Sequence, residues 1–119
     1  MVLIARALAA EPKLLILDEP ESNLDFKNQL IVLETVKSLC EEEGISSIVN
    51  THYPEHAISI SHKALLLNRD GSSVFGAAEE TIAESHLEKA FGVNVKIQYF
   101  YHSEKKYTCV LPLSIAVGN

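Results

Sequence analysis

The stretch LLILDEPESNLD, Leu14 to Asp25, joins a short apolar run directly to a group of acids. Its four aliphatic residues do not alternate with polar ones, which is typical of a strand covered on both faces in a parallel sheet. Asp18 and Glu19 follow at the carboxyl end of that strand, where open α/β sheets bind their ligands. The stretch therefore predicts an α/β fold with paired carboxylates at one edge of its sheet.

A second strand is predicted over residues 45–51, ISSIVNT, and it delivers His52 to its own carboxyl end. Between the two strands, apolar positions recur at helical spacing from residue 30 to residue 40, and Asp25 or Asn23 can cap that helix. Because the carboxyl ends of parallel strands meet at one edge, we expect the paired acids and His52 to lie side by side.

The rest of the chain predicts further short elements and no internal repeat. They are a helix over residues 2–10 that ends at Glu11-Pro12, a helix from Pro54 to about Ile60, a strand over residues 63–68, a hairpin turn at Asp70-Gly71, an amphipathic helix from Glu79 to Phe91 stopped by Gly92, and a second hairpin formed by residues 95–101 and 107–113. Pro112 is expected at an edge or at a strand end.

Composition narrows the class of protein. The 119 residues suit one small domain or a piece of a larger one, and no apolar stretch approaches the roughly 20 residues that cross a bilayer. Ten basic against sixteen acidic residues give a net charge of −6, which argues against nucleic acid as a partner. The two cysteines, Cys40 and Cys109, are isolated in sequence, which fits a reducing cytoplasm.

Three motifs in this order, LLILDEP, ESNLD and IVNTH, resemble the distal half of an ABC-type ATPase, the ATP-binding subunit of an ABC transporter. LLILD resembles its Walker B strand, and VLIARALAAEPK resembles the helix that follows its LSGGQ signature. Residues 1–76 carry the resemblance, and residues 77–119 form a C-terminal helix and hairpin extension. The resemblance implies a partial P-loop NTPase (RecA-like) core with a mainly parallel sheet.

The resemblance also implies a role for each motif residue. Asp18 is expected to hold Mg²⁺ through water, Glu19 to act as the catalytic base, His52 to contact the γ-phosphate of ATP, Arg6 to orient the signature helix, and Ser22, Asn23, Leu24 and Asp25 to form the D-loop that crosses the interface between two ATP-binding subunits. ATP and Mg²⁺ are the cofactors it implies for the intact protein. The implied partners are a second ATP-binding subunit and transmembrane permease subunits, on the cytoplasmic face of the cell membrane.

The chain departs from the family pattern because it has neither the phosphate-binding loop G-x-x-x-x-G-K-[ST] nor the LSGGQ segment. We therefore expect a fragment that alone neither binds ATP tightly nor hydrolyses it, since its acids would face the phosphates without a lysine or a backbone nest. Unpaired strand edges could favour a swapped homodimer. Two interpretations stay open: part of an importer ATPase for an iron chelate, a corrinoid or molybdate, or a non-catalytic interaction or assembly module, a truncated relic.

Overall fold

The computed structural model describes residues 13–116, which fall into two compact units, one ending at His52 and one beginning at Tyr53. The helix predicted over residues 2–10 and the position of Arg6 lie outside the described residues. Helices and strands both occur in the chain, so the predicted mixed α/β class is confirmed. Within residues 13–116 no helix combines the length and the apolar character that a bilayer crossing needs.

The first unit contains strand β1 (Leu14–Asp18), helix α1 (Phe26–Glu42) and strand β2 (Ser46–Asn50). The two strands pair in parallel, from Leu14 opposite Ser46 to Asp18 opposite Asn50. Their connection through α1 is the crossover that parallel neighbours require. Among its described residues, the buried apolar side chains come from β1 and α1 and are Leu15, Leu17, Val32, Leu33 and Val36. Glu21, in the turn between these elements, is buried as well.

Strand β1 is covered on one face only, so the prediction of two covered faces is wrong for the described structure. Leu15 and Leu17 are buried, whereas Leu14 and Ile16 are 49% and 73% exposed. Successive side chains of a strand point to opposite faces, so these values define one covered and one open face. A non-alternating apolar run indicates that both faces of a strand tolerate burial. It does not indicate which helices or strands are present to cover those faces.

Helix α1 begins and ends where local chemistry dictates. The Asp25 carboxylate accepts the backbone N–H of Asn28 at 2.9 Å, so of the two candidates that were predicted, Asp25 is the N-cap. Gly44 reverses the chain after the helix with a φ of 66°, and the Ile45 N–H returns to the Leu39 carbonyl at 3.1 Å. These contacts place β2 beside β1 after a short connection.

The second unit consists of seven short elements: α2 (Pro54–Ile60), β3 (Lys63–Leu67), β4 (Ser73–Ala77), α3 (Ala78–Thr81), α4 (Glu84–Phe91), β5 (Val93–His102) and β6 (Lys105–Ile115). Strands β3 and β4 form one antiparallel hairpin and β5 and β6 form another, both at the predicted places. Parallel pairing in the described chain is therefore confined to β1 and β2, a smaller share of the strands than predicted.

The helix predicted from Glu79 to Phe91 is two helices, α3 and α4. The chain is extended at Ala83, with φ −111° and ψ 159°, and Ile82 before it is buried. His86 Nδ1 donates to the Thr81 carbonyl at 2.8 Å, and the Glu84 carboxylate accepts the Ile97 N–H of β5 at 2.7 Å. The Thr81 carbonyl thus bonds a side chain at the break, and the Glu84 side chain links the start of α4 to β5. Gly92, at φ 69°, ends α4 as predicted.

Candidate active site

Asp18 lies at the carboxyl end of β1, directly opposite Asn50 in the parallel pair. The Asn50 side-chain amide donates to Asp18 Oδ1 at 2.7 Å, and the Glu19 backbone N–H donates to the Asn50 carbonyl at 2.7 Å. Asp18 and Asn50 are both exposed. One carboxylate oxygen of Asp18 is therefore engaged by Asn50 at the edge of the sheet.

Glu19 and His52 come together just beyond the two strand ends. Glu19 Oε1 contacts His52 Nδ1, and the two side chains are 42% and 56% exposed. Glu19 has a φ of 46°, in the left-handed region where an L-residue is strained by about 1–3 kcal/mol. This conformation takes the chain out of the strand direction, so that the two adjacent acids have different partners: Asn50 for Asp18, and His52 for Glu19.

The turn after Glu19 contains a buried carboxylate. Glu21 is 0% exposed, and its Oε2 accepts the Thr51 hydroxyl at 3.0 Å. Its backbone carbonyl accepts the Gln29 side-chain amide of α1 at 3.3 Å. Neither Glu21 nor Thr51 was predicted from the sequence to belong to the site. The position of Thr51, between the end of β2 and His52, was the sequence signal that could have indicated it. No sequence signal distinguishes a buried glutamate from the other acids of the turn.

The predicted D-loop residues lie between this turn and α1. The Ser22 N–H donates to the Glu19 carbonyl at 3.1 Å, and the Ser22 hydroxyl oxygen is buried with no hydrogen-bond partner among residues 13–116. Asn23 has a φ of 63°, Leu24 is 37% exposed, and Asp25 caps α1. The structure thus gives Asp25 a local capping contact, and the role of these residues at a subunit interface stays a prediction.

The donor chemistry of the site fits a magnesium ion bound through water. Mg²⁺ prefers oxygen ligands, keeps several waters, and is commonly held by one or two carboxylates together with substrate phosphates. Asp18 offers such a carboxylate. Across residues 13–116 no group of three or more His, Cys, Asp or Glu side chains is arranged to hold a metal by itself. Any magnesium here would therefore take most of its ligands from water and phosphate.

Comparison with solved structures identifies the class of protein. The chain matches a subunit of a metal-chelate type ABC transporter in an inward-facing conformation, with a TM-score of 0.88 and 36% identity, over 94% of this chain and 44% of that one. The chain is thus a partial ABC-type ATPase, and the predicted family and core fold are confirmed. No protein-family model matches the chain.

The curated relatives are ATP-binding proteins of ABC transporters, and some of them are named for import. The molybdate import ATP-binding protein MolC of Haemophilus influenzae is 35% identical over 113 residues, which are 95% of this chain and 44% of that protein. The petrobactin import ATP-binding protein FpuC of Bacillus anthracis is 38% identical over 104 residues, which are 87% of this chain and 38% of that protein. The chain thus spans less than half the length of these relatives.

Proposed function

We propose that this chain contributes the hydrolytic strand ends of the ATP-binding subunit of an ABC importer. The observation that carries the proposal is the contact between Glu19 and His52 beside Asp18, at the carboxyl ends of two paired parallel strands. Charge and geometry support it, because carboxylates fixed on a rigid strand can meet magnesium and water with little reorganisation. The similarity to importer ATP-binding proteins supports ATP hydrolysis as the reaction of the intact subunit.

Each of the three residues has a distinct task in the proposed site. Asp18, oriented by Asn50, would hold magnesium through a water molecule. Glu19 would accept a proton from the attacking water, and His52, in contact with Glu19, would face the terminal phosphate. When bound, magnesium neutralises charge on the phosphates. The three side chains come from two strand ends, so the β1–β2 pairing determines their separation.

The intact assembly would contain more than this chain. We propose ATP and Mg²⁺ as its cofactors, a second ATP-binding subunit and transmembrane permease subunits as its partners, and the cytoplasmic face of the membrane as its location. The proposed solute is an iron chelate, a corrinoid or molybdate, and similarity to a molybdate import protein and to a metal-chelate type transporter supports the choice of class. Since the sequence has no G-x-x-x-x-G-K-[ST] loop, this chain alone should neither bind ATP tightly nor hydrolyse it.

A chimera tests the proposal. The matching distal segment of the H. influenzae MolC protein would be replaced by this chain, and magnesium-dependent ATP hydrolysis would be measured beside ATP binding. We expect the chimera to hydrolyse ATP, and Glu19→Gln to slow hydrolysis by about 100-fold or more while ATP binding persists. His52→Ala should lower the rate as well. Glu34→Gln, at an exposed position of α1, is the matched control and should leave the rate unchanged.

Two results would overturn the proposal. One is a folded chimera that hydrolyses ATP equally well with and without the Glu19 carboxylate, since the catalytic base would then lie elsewhere. The other is saturable micromolar binding of Mg-ATP by this chain alone, which would mean that the phosphate site is built from residues present here. Both measurements use purified protein whose folding is checked by circular dichroism.

A further inference from the structure

The most unusual polar group in the first unit is the carboxylate of Glu21. The residue is 0% exposed and shares the core with Leu15, Leu17 and Val36. A carboxylate taken out of water loses several kcal/mol of hydration free energy, and hydrogen bonds in the protein have to offset this loss. An apolar side chain of similar size would fill the same space without that cost. The presence of an acid here therefore calls for a reason beyond packing.

The contacts of Glu21 join three parts of the first unit. Its side chain accepts the Thr51 hydroxyl, and its backbone carbonyl accepts the Gln29 amide of α1. The parallel ladder ends at Asp18 and Asn50, and the Glu19 N–H to Asn50 carbonyl bond extends it by one further hydrogen bond. Beyond that point the two segments are no longer held by strand pairing. The Glu21–Thr51 hydrogen bond links them there.

This link lies next to both members of the candidate catalytic pair. Glu21 is two residues after Glu19, and Thr51 immediately precedes His52. A shift of either segment would change the separation of the Glu19 carboxylate from the His52 imidazole. Since His52 and Glu19 are both about half exposed, packing alone constrains them weakly. A part-buried hydrogen bond on the neighbouring residues supplies a constraint that solvent weakens less than it weakens an exposed contact.

We propose that Glu21 is a positioning residue, whose hydrogen bond to Thr51 holds the segment bearing His52 against the turn bearing Glu19; this rests on the function proposed above. Glu21 does not itself contact magnesium, phosphate or water in the reaction. Its carboxylate acts through Thr51 on the orientation of His52. The same contact fixes the turn from Glu19 to Asn23, whose two ends have positive φ values of 46° and 63°.

The test uses the full chain and reads the His52 ring directly. Long-range ¹H–¹⁵N NMR spectra would give the ring-nitrogen shifts of the five histidines, with His52 assigned from its loss in His52→Gln. Glu19→Ala defines the shifts of a His52 without its carboxylate partner. We expect Glu21→Ala and Thr51→Val to move the His52 shifts toward those reference values. If Glu21→Ala does not fold, the isosteric Thr51→Val variant still tests the hydrogen bond, because it removes only the hydroxyl donor.

Conservative variants separate positioning from packing. Glu21→Gln keeps a side-chain oxygen that can accept, and Thr51→Ser keeps the hydroxyl that donates. Both variants should therefore retain the wild-type His52 shifts. Thr35→Val is the matched control, because it removes a hydroxyl that bonds the Ile31 carbonyl within α1 and should leave His52 unchanged. In the MolC chimera, Thr51→Val should lower kcat by up to about 100-fold with little change in KM for ATP.

The inference fails if Glu21→Ala and Thr51→Val lower the melting temperature but leave the His52 shifts at wild-type values. Glu21 would then be a buried structural acid only. This outcome does not depend on ATP hydrolysis, so it differs from failure of the proposed function, which would appear as a Glu19→Gln chimera of full activity. Loss of the His52 signature in Glu21→Gln as well would also contradict the hydrogen-bond mechanism.

Discussion

Glycine at position 19 should make the first unit more stable than alanine does at the same position. Glu19 has a φ of 46°, and the left-handed region costs a residue with a Cβ about 1–2 kcal/mol. Glycine avoids that cost but loses about 0.5–1 kcal/mol more than alanine in backbone entropy on folding. The difference leaves Glu19→Gly more stable than Glu19→Ala by about 1 kcal/mol. Both variants lose the contact with His52, so its free energy cancels in the comparison.

Amide hydrogen exchange measures this difference in stability within the first unit of the chain. The four tyrosines lie in the second unit and the chain has no tryptophan, so intrinsic fluorescence does not report on β1 and β2. Ser46 of β2 donates its N–H to the Lys13 carbonyl, and Ile48, two residues further along the strand, faces β1 in the same way. Exchange of these two amides should be about 5-fold slower in Glu19→Gly than in Glu19→Ala. In urea the unfolding midpoint of this unit should differ by about 0.5 M.

A control with the opposite sign strengthens the comparison. Glu34 is exposed in the middle of α1, where glycine should be less stable than alanine by about 1 kcal/mol. If Glu19→Gly is as stable as Glu19→Ala, or less stable, while the Glu34 pair behaves as expected, the backbone at Glu19 is not strained. The claim that this turn holds its acid in a costly conformation would then be refuted.

Three further predictions concern stability. Asp25→Ala should destabilise α1 by about 1 kcal/mol through loss of its N-cap, while Asp25→Ser should keep most of the capping stabilisation. Equal amide exchange in the two variants would contradict the capping role of Asp25. Leu87→Ala, at 1% exposure, should cost about 2–5 kcal/mol in urea unfolding followed by tyrosine fluorescence, whereas Leu67→Ala, at 68% exposure, should stay within about 0.5 kcal/mol. The Ser72 hydroxyl and then the Ser72 N–H lower the pKa of Asp70, so its stabilisation is present above the ordinary carboxyl pKa and is lost as pH falls through the lowered value. Thermal melts should show Asp70→Asn to be less sensitive to acid over that range, and unchanged acid sensitivity would refute this.

The order of elements could be predicted from local patterns because each pattern has a local cause. Asp25 caps α1, Pro54 begins α2 and Gly92 ends α4, as predicted from residue type alone. The two hairpins follow from polar turns between apolar runs. These features depend on backbone conformation within a few residues, which the sequence determines directly. The placement of the strand ends side by side followed from the same elements and the rule for parallel sheets.

The parts that could not be predicted depend on tertiary contacts. A helical pattern from Glu79 to Phe91 does not reveal that Ile82 is buried at a break, or that Glu84 bonds to Ile97 far along the chain. Likewise the run at Leu14 to Leu17 indicates which residues tolerate burial, but not which elements of the described chain are present to bury them. Propensity is a local quantity, and packing partners override it.

The candidate site shows why a sequence can indicate candidate catalytic residues and still miss a buried acid beside them. Asp18 and Glu19 were predicted because they follow an apolar run at the carboxyl end of a predicted strand. Glu21 is buried in the structure, but in sequence it is one more acid in a polar turn. The strained φ of Glu19 and the buried carboxylate of Glu21 occur within three residues. Departures from local stability that gather in one turn are expected where function, and not folding, selects the residues.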